Sequence, residues 1–247
     1  MIVSNQPATL RARFEAFAQT LEGFENVDDL LKAETIAGKK RADYLFQGRS
    51  IIIEQKSLEV DPIEKPQKFV DQLAKERRFL YWGTHSTEAI FRKMPDRDEL
   101  QRQLVLKIGK VIEDNVRNAD KQTRDTREIF KIPGAGGILV LLNEDATMLA
   151  PDIVTYALCN SFQKKNGSEY RYSNIDGVFL ISEAHPMSEV GFDKVFPILP
   201  FLAPETTNQK MVSAFMDLMA VRWAQFNGAT LILSRAAMQP AGTPGKA

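Results

Sequence analysis

The chain has 247 residues, 44% of them hydrophobic and 26% charged. This ordinary globular composition excludes disordered, fibrous and disulfide-scaffold classes and allows one large domain or two small ones. Lysine plus arginine and aspartate plus glutamate both total 32, so no global field attracts a polyanion, and any nucleic-acid contact has to be a local patch.

Cys159 stands alone, with only His85 and His185 beside it, which excludes an intramolecular disulfide and a zinc site of four Cys or His ligands. The longest apolar run, residues 138–142, is far below the ~18 residues of a membrane span. Residues 1–10 have neither a basic n-region nor an apolar h-region, so a cytoplasmic protein without membrane contact is expected. There is no G-x-S-x-G elbow to support a hydrolase triad.

In residues 10–21, Leu10, Phe14, Phe17, Ala18 and Leu21 recur at helical spacing with Arg11, Arg13, Glu15 and Glu22 off that face, predicting an amphipathic opening helix. A short helical turn over 28–33 follows, then two strand-like segments, 41–46 and 50–57, separated by Gln47-Gly48-Arg49, which read as a β-hairpin. Pro66 can sit in the first turn of a helix ending near Leu80, with Phe69, Val70 and Leu73 on its buried side. Residues 83–98 read as a connection. The stripe Leu100, Leu104, Ile108, Val111, Ile112 and Val116 predicts one long helix over 99–118. The charged segment 118–131 reads as a solvated face, either a helix extension or a loop.

Gly136-Gly137 opens the apolar run 138–142, short enough for a buried strand. A helix capped by Asp152 and a strand over 175–181 complete a βαβ unit with parallel strands. The late helix, 205–226, carries Met216, Met219 and Trp223 on one side, a core or dimer face. Gly134-Ala135-Gly136-Gly137 precedes its strand, whereas phosphate loops follow one, so no nucleotide fold is indicated. The expected fold is α/β: a mixed central sheet flanked by helices in one domain over 1–235, with a helical insertion at about 84–135 and a flexible tail at 236–247.

The most informative stretch is the hairpin. Alternation puts Glu54 and Lys56 on one face of the second strand, and Ile51, Ile53 and Gln55 on the other. A two-residue loop at Gly48-Arg49 sets Asp43 opposite Glu54. Two carboxylates so placed repel unless something neutralises them. A hard divalent cation does so, using oxygen ligands and keeping positions for water and phosphate. The competing reading is a surface ion pair of Glu54 with Lys56 or Arg41.

Asp43, ten intervening residues, then Glu54-x-Lys56 at the end of an Ile-rich strand, with amphipathic helices before and after, resembles the PD-(D/E)XK, or restriction-endonuclease-like, nuclease superfamily. The resemblance covers about residues 10–80 and extends to the strand 138–142. It departs from the pattern at Ala42, where a proline often precedes the aspartate, and in the more than 50 residues between the second helix and the next strand. It implies a restriction-endonuclease-like core and a Mg²⁺- or Mn²⁺-dependent endonuclease acting on nucleic acid, DNA first. Asp43 and Glu54 would hold the metal, Lys56 would assist the attacking water, and a carboxylate of the opening helix would join them. Glu15 is the first candidate for that carboxylate, with Glu22 and Glu34 as substitutes.

Lys40, Arg41, Lys68 and Gln72 are candidates for following a phosphate backbone, or are simply solvated. A homodimer is compatible with this reading. The alternative is a catalytically inactive domain of the same architecture that binds nucleic acid or protein. A second polar group, Asn143, Glu144 and Asp145 with Ser182, Glu183 and His185, gathers at strand exits, either as a ligand rim or as plain capping.

Overall fold

The computed structural model describes residues 9–31, 39–79, 86–92, 94–189 and 191–232. Glu34, Leu80, His85 and the tail 236–247 lie outside them. The chain opens with α1 (Leu10–Ala18), whose first turn is capped by the Thr9 hydroxyl accepting from the Ala12 N–H. Strand β1 (Glu25–Asn26) leads into the one-turn helix α2 (Val27–Leu30), capped by the Asn26 carboxamide. The hairpin then forms from β2 (Tyr44–Phe46) and β3 (Ile51–Ser57), and α3 (Glu64–Arg77) follows it.

The predicted connection contains a further short helix, α4 (Thr87–Phe91), whose Phe91 packs edge-on against Phe69 with ring centroids 5.9 Å apart. The predicted long helix is two: α5 (Arg97–Ile108) and α6 (Lys110–Phe130). They meet at Gly109, where a Cβ would sit 2.7 Å from the Ala157 Cβ. The apolar stripe runs through this junction, so periodicity alone does not reveal it.

The charged segment 118–131 is a helix extension, the second half of α6, and it is solvated on one side only: Asn118, Lys121, Arg124 and Glu128 are exposed, while Asp120, Thr123, Asp125 and Thr126 are buried.

Strand β4 (Gly136–Asn143) is buried along its whole length and is followed by α7 (Pro151–Phe162). The small ribbon of β5 (Lys165–Asn166) and β6 (Glu169–Tyr170) precedes β7 (Gly177–Ser182). A second ribbon, β8 (Met187–Glu189) with β9 (Phe192–Val195), leads to β10 (Ile198–Leu202) and the long α8 (Gln209–Phe226).

The main sheet has six strands in the order β1-β2-β3-β4-β7-β10. The central trio β3, β4 and β7 is parallel, as the βαβ reading expects, while β1, β2 and β10 add antiparallel strands at the two sides. A parallel core needs both faces covered. Ile51, Ile53, Ile138, Val140 and Phe179 pack beneath α1 and α8 with Phe14, Phe17, Met216 and Trp223. On the other face, Leu139, Leu141, Val178 and Leu180 meet α3, α5, α6 and α7. Among the described residues no helix is long and apolar enough to cross a membrane.

A buried ion pair ties α6 to the start of β7. Arg127 donates to the Asp176 carboxylate at 2.9 Å, to the Ala135 carbonyl at 2.6 Å and to the Asn174 amide oxygen at 3.1 Å. Asp176 also accepts from the Gly137 N–H at 2.7 Å. Removing one partner of such a pair strands the other without solvent. Asp176→Ala is expected to lower stability by about 3–5 kcal/mol in urea unfolding, while Lys121→Ala, on the exposed side of α6, changes it by less than about 1 kcal/mol.

Candidate functional site

The hairpin has the expected register, with Tyr44 paired to Ile53, Leu45 to Ile52 and Phe46 to Ile51. Gly48 and Arg49 both take positive φ, +62° and +68°, as a tight two-residue hairpin turn requires. Ile51 and Ile53 therefore enter the α1/α8 face. Ile52, Glu54 and Lys56 take the opposite face, on which α6 packs.

Asp43 stands one residue beyond the last ladder pair. Its N–H bonds the Ile53 carbonyl at 3.1 Å, its carbonyl accepts from the Val27 N–H, and its carboxylate accepts the Gln55 N–H at 2.6 Å. The carboxylate thus replaces the missing ladder partner at the strand end, with Glu54 close enough for the two charges to act on each other.

This geometry is held by α6. Asp125 accepts the Lys40 N–H at 3.0 Å, Thr126 accepts the Ala42 N–H at 2.8 Å, and the Gln122 amide donates to the Arg41 carbonyl at 2.8 Å. Three side chains of one helix therefore fix the backbone leading into Asp43. Sequence reading missed them, although a signal was present: Ile112, Val116, Ala119, Thr123 and Thr126 continue one stripe at steps of three and four residues.

Glu54 is fully buried, with the Gln122 amide beside its carboxylate. Its ion pair is with Lys56, whose side chain keeps 28% exposure. Burial, then the Asp43 charge, pushes the Glu54 pKa up to about 7 against the pull of Lys56 and of the Gln122 amide. Burial also raises the Asp43 pKa, opposed by the Gln55 N–H and by the charges of Lys56 and Arg11. Tyr44, raised by burial and by Asp43, donates to the Gln55 amide oxygen at 3.2 Å. Among the described residues, Ser57 Oγ, on the same strand, and Thr123 Oγ1, on α6, are buried without a hydrogen-bond partner.

The structure thus brings Asp43, Glu54 and Lys56 together. Glu15 lies at the border of this group: it is ion-paired at 2.9 Å with Arg11 on α1, and the Arg11 charge reaches Asp43. The other candidates lie elsewhere. Glu22 is exposed beyond the end of α1. Arg41 pairs with Asp28 at 3.1 Å, and Lys40 engages α6 through its backbone. Lys68 pairs with Glu64 at 2.5 Å, and Gln72 donates to Glu76 at 2.7 Å. Among the described residues, no three His, Cys, Asp or Glu side chains gather as a metal-binding group.

At the strand exits, Asn143 bonds the backbone of Ala146 and Leu149, Glu183 pairs with Arg13, and His185 bridges Ser182 and the Thr147 carbonyl. These contacts cap the strand ends.

The donors at the hairpin are hard oxygens, and a buried carboxylate beside a second one has two negative charges against the single Lys56 ammonium, so Asp43 and Glu54 fit a hard divalent cation in chemistry. Two protein carboxylates leave the other positions to water or phosphate, and the Lys56 ammonium has to swing off Glu54 to admit a cation. No family model, curated protein or solved structure matches the chain.

Glu54 also predicts a pH dependence for the metal-free protein. Its folded pKa of about 7 lies above the ordinary 4.5, so the folded state holds the proton more tightly. Its contribution to stability is intact below pH 4.5 and is lost as pH rises to about 7. In urea unfolding, the advantage of Glu54→Gln over wild type is expected to grow by up to about 3 kcal/mol across that window and stay flat above it. A constant difference would mean that Glu54 titrates normally.

Proposed function

We propose that the chain is a divalent-metal-dependent nuclease that hydrolyses phosphodiester bonds, DNA first, on a restriction-endonuclease-like core. The observation that carries this reading is the fully buried Glu54 carboxylate, held against the charge of Asp43 with a partly exposed Lys56 as its ion-pair partner. A structural ion pair has no need of a second carboxylate close by, and that carboxylate makes Glu54 harder to ionise. A site for a cation and a phosphate needs both.

Asp43 and Glu54 would hold the metal, which when bound polarises a phosphate and activates water. Asp43 is preorganised by the Gln55 N–H. Glu54 is kept out of water by the sheet and α6. Lys56, released from Glu54, has the reach to donate to the oxygen of the attacking water or to the charge that develops on the phosphate. In the net reaction water adds at phosphorus, one P–O ester bond breaks, and the proton leaves with the solvent or the departing oxygen.

The competing reading, a catalytically inactive domain of the same architecture, draws on two observations. The Lys56–Glu54 ion pair closes the site, and no third acid joins it among the described residues.

Plasmid cleavage with Mg²⁺ or Mn²⁺ separates the two. Asp43→Asn, Glu54→Gln and Lys56→Ala are each expected to fold and to lower the cleavage rate by about two orders of magnitude or more. At pH 8 the metal is expected to raise the unfolding temperature of wild type but not of Asp43→Asn. Folded variants that still cut DNA would sink the nuclease reading. Absence of cleavage, with salt-dependent DNA binding that survives Glu54→Gln, selects the binding domain.

A further inference from the structure

A cavity of about 520 Å³ opens between α3, the α5–α6 junction and α7, within the size range of small-molecule sites. Five lysines line it, Lys65, Lys68, Lys107, Lys110 and Lys164, against one carboxylate, Glu113. Glu113 is already engaged: it pairs with Lys110 at 3.0 Å and Lys164 at 2.6 Å, and accepts from the Tyr172 hydroxyl at 3.1 Å.

Two of the ammonium groups have only neutral partners. Lys65, half-buried, donates to the Lys107 carbonyl at 2.9 Å. Lys107 lies over the Phe69 ring, 4.7 Å from its centroid, and donates to the Gln72 amide oxygen at 3.3 Å. Neither is within ion-pair distance of a carboxylate among the described residues. Lys68 has Glu64 on its own exposed face of α3, a pairing weak enough to exchange for a better anion.

The rest of the wall is mixed. Gln72, Asn160 and Ser161 are polar, Phe69 and Ala157 are buried, and Leu106 offers half-buried hydrocarbon, while the missing side chain at Gly109 lets the helix junction close on α7. Several cations beside such a wall call for a compact ligand that carries more than one negative charge and a body with both hydrogen-bonding and apolar surface.

We propose that this cavity is a binding site for a nucleoside di- or triphosphate, with Lys65 and Lys107 meeting the phosphates and the mixed wall of Leu106, Asn160 and Ser161 taking the nucleoside. Lys65 and Lys107 are pre-placed without an ion-pair partner among the described residues, the Asp114 carboxylate acting on Lys65 only from beyond that distance. A diphosphate supplies the charge that Glu113 lacks, with charge-assisted hydrogen bonds to both ammonium groups. The site is separate from the hairpin. Glu113 and Gln122 mark the two regions on α6, nine residues apart, which is about 14 Å along the helix. The proposal stands whether or not the hairpin is a nuclease centre.

Calorimetric titration of the full chain with ADP and with inorganic pyrophosphate, in low salt and without divalent metal, tests it. Saturable binding of both is expected, ADP the tighter. The Lys65→Ala/Lys107→Ala double variant should weaken both by about tenfold or more. Lys75→Ala, on the same helix but outside the cavity, should leave them unchanged. Circular dichroism of the double variant should match wild type, since both side chains reach the surface and neither is in an ion pair.

No saturable binding to wild type, or binding that the double variant leaves intact, overturns the site. Equal affinity for ADP and pyrophosphate overturns its assignment to a nucleotide. Binding of a short single-stranded DNA that depends on the two lysines, with none of ADP or pyrophosphate, replaces the pocket by a nucleic-acid track.

Discussion

Helix α6 carries polar side chains into the layer beneath the sheet, where a solvated helix would carry apolar ones. Asp120 accepts from the Asn174 backbone and amide, Asp125 and Thr126 accept from the backbone before β2, and Arg127 pairs with Asp176. Buried polar groups are tolerated when they are satisfied, and these are satisfied by backbone that would otherwise be unpaired, because residues 40–42 precede the hairpin ladder and Asn174 precedes β7. The helix therefore completes the hydrogen bonding of two strand entries at once. The position of Asp43, one residue after Ala42, depends on that anchoring.

The hairpin site shows the opposite economy. Glu54 is placed by strand alternation in a dry layer, beside a second carboxylate, with one cation in contact. Local order there opposes stability, since burial and like charge both disfavour the ionised form. The surrounding structure absorbs that cost. The Ile-rich face of β3 packs under two aromatic-rich helices, with Trp223 5.2 Å from the Phe17 ring, and β4 is covered on both faces. A group held against its own preference by a well-packed frame is where a functional requirement is to be sought. The proposed metal-dependent chemistry gives Glu54 such a requirement.

One helix thus borders two electrostatically different places. Its N-terminal turns, with Lys110 and Glu113, wall a cavity with an excess of lysines. Its second half abuts the carboxylate pair through Gln122. The glycine at 109 makes the first possible, because a Cβ there would lie 2.7 Å from the Ala157 Cβ and hold α7 off the α5–α6 junction.

Much of the frame was legible in the sequence because it rests on short-range periodicity. The step of two in residues 51–56 placed Ile51 and Ile53 on one face and Glu54 and Lys56 on the other, and the Gly48-Arg49 turn set the register that the structure has. The apolar run of β4 and the strand after α7 announced a parallel pair. Only the tertiary structure decided which polar groups are buried and with what. Thr126 meets Ala42 across 84 residues of sequence and Arg127 meets Asp176 across 49, and no local pattern encodes partners at such separations. The charged segment 118–131 reads as solvated along the chain, and the fold buries one side of it, with Asp120 and Asp125, while Lys121 and Arg124 stay exposed. Glu15, equally well placed by spacing alone, turns out to be bound to Arg11 on its own helix. Periodicity specifies which way a side chain faces. What it meets there depends on how distant elements pack, and for charged groups that meeting decides between solvent, a partner and a site.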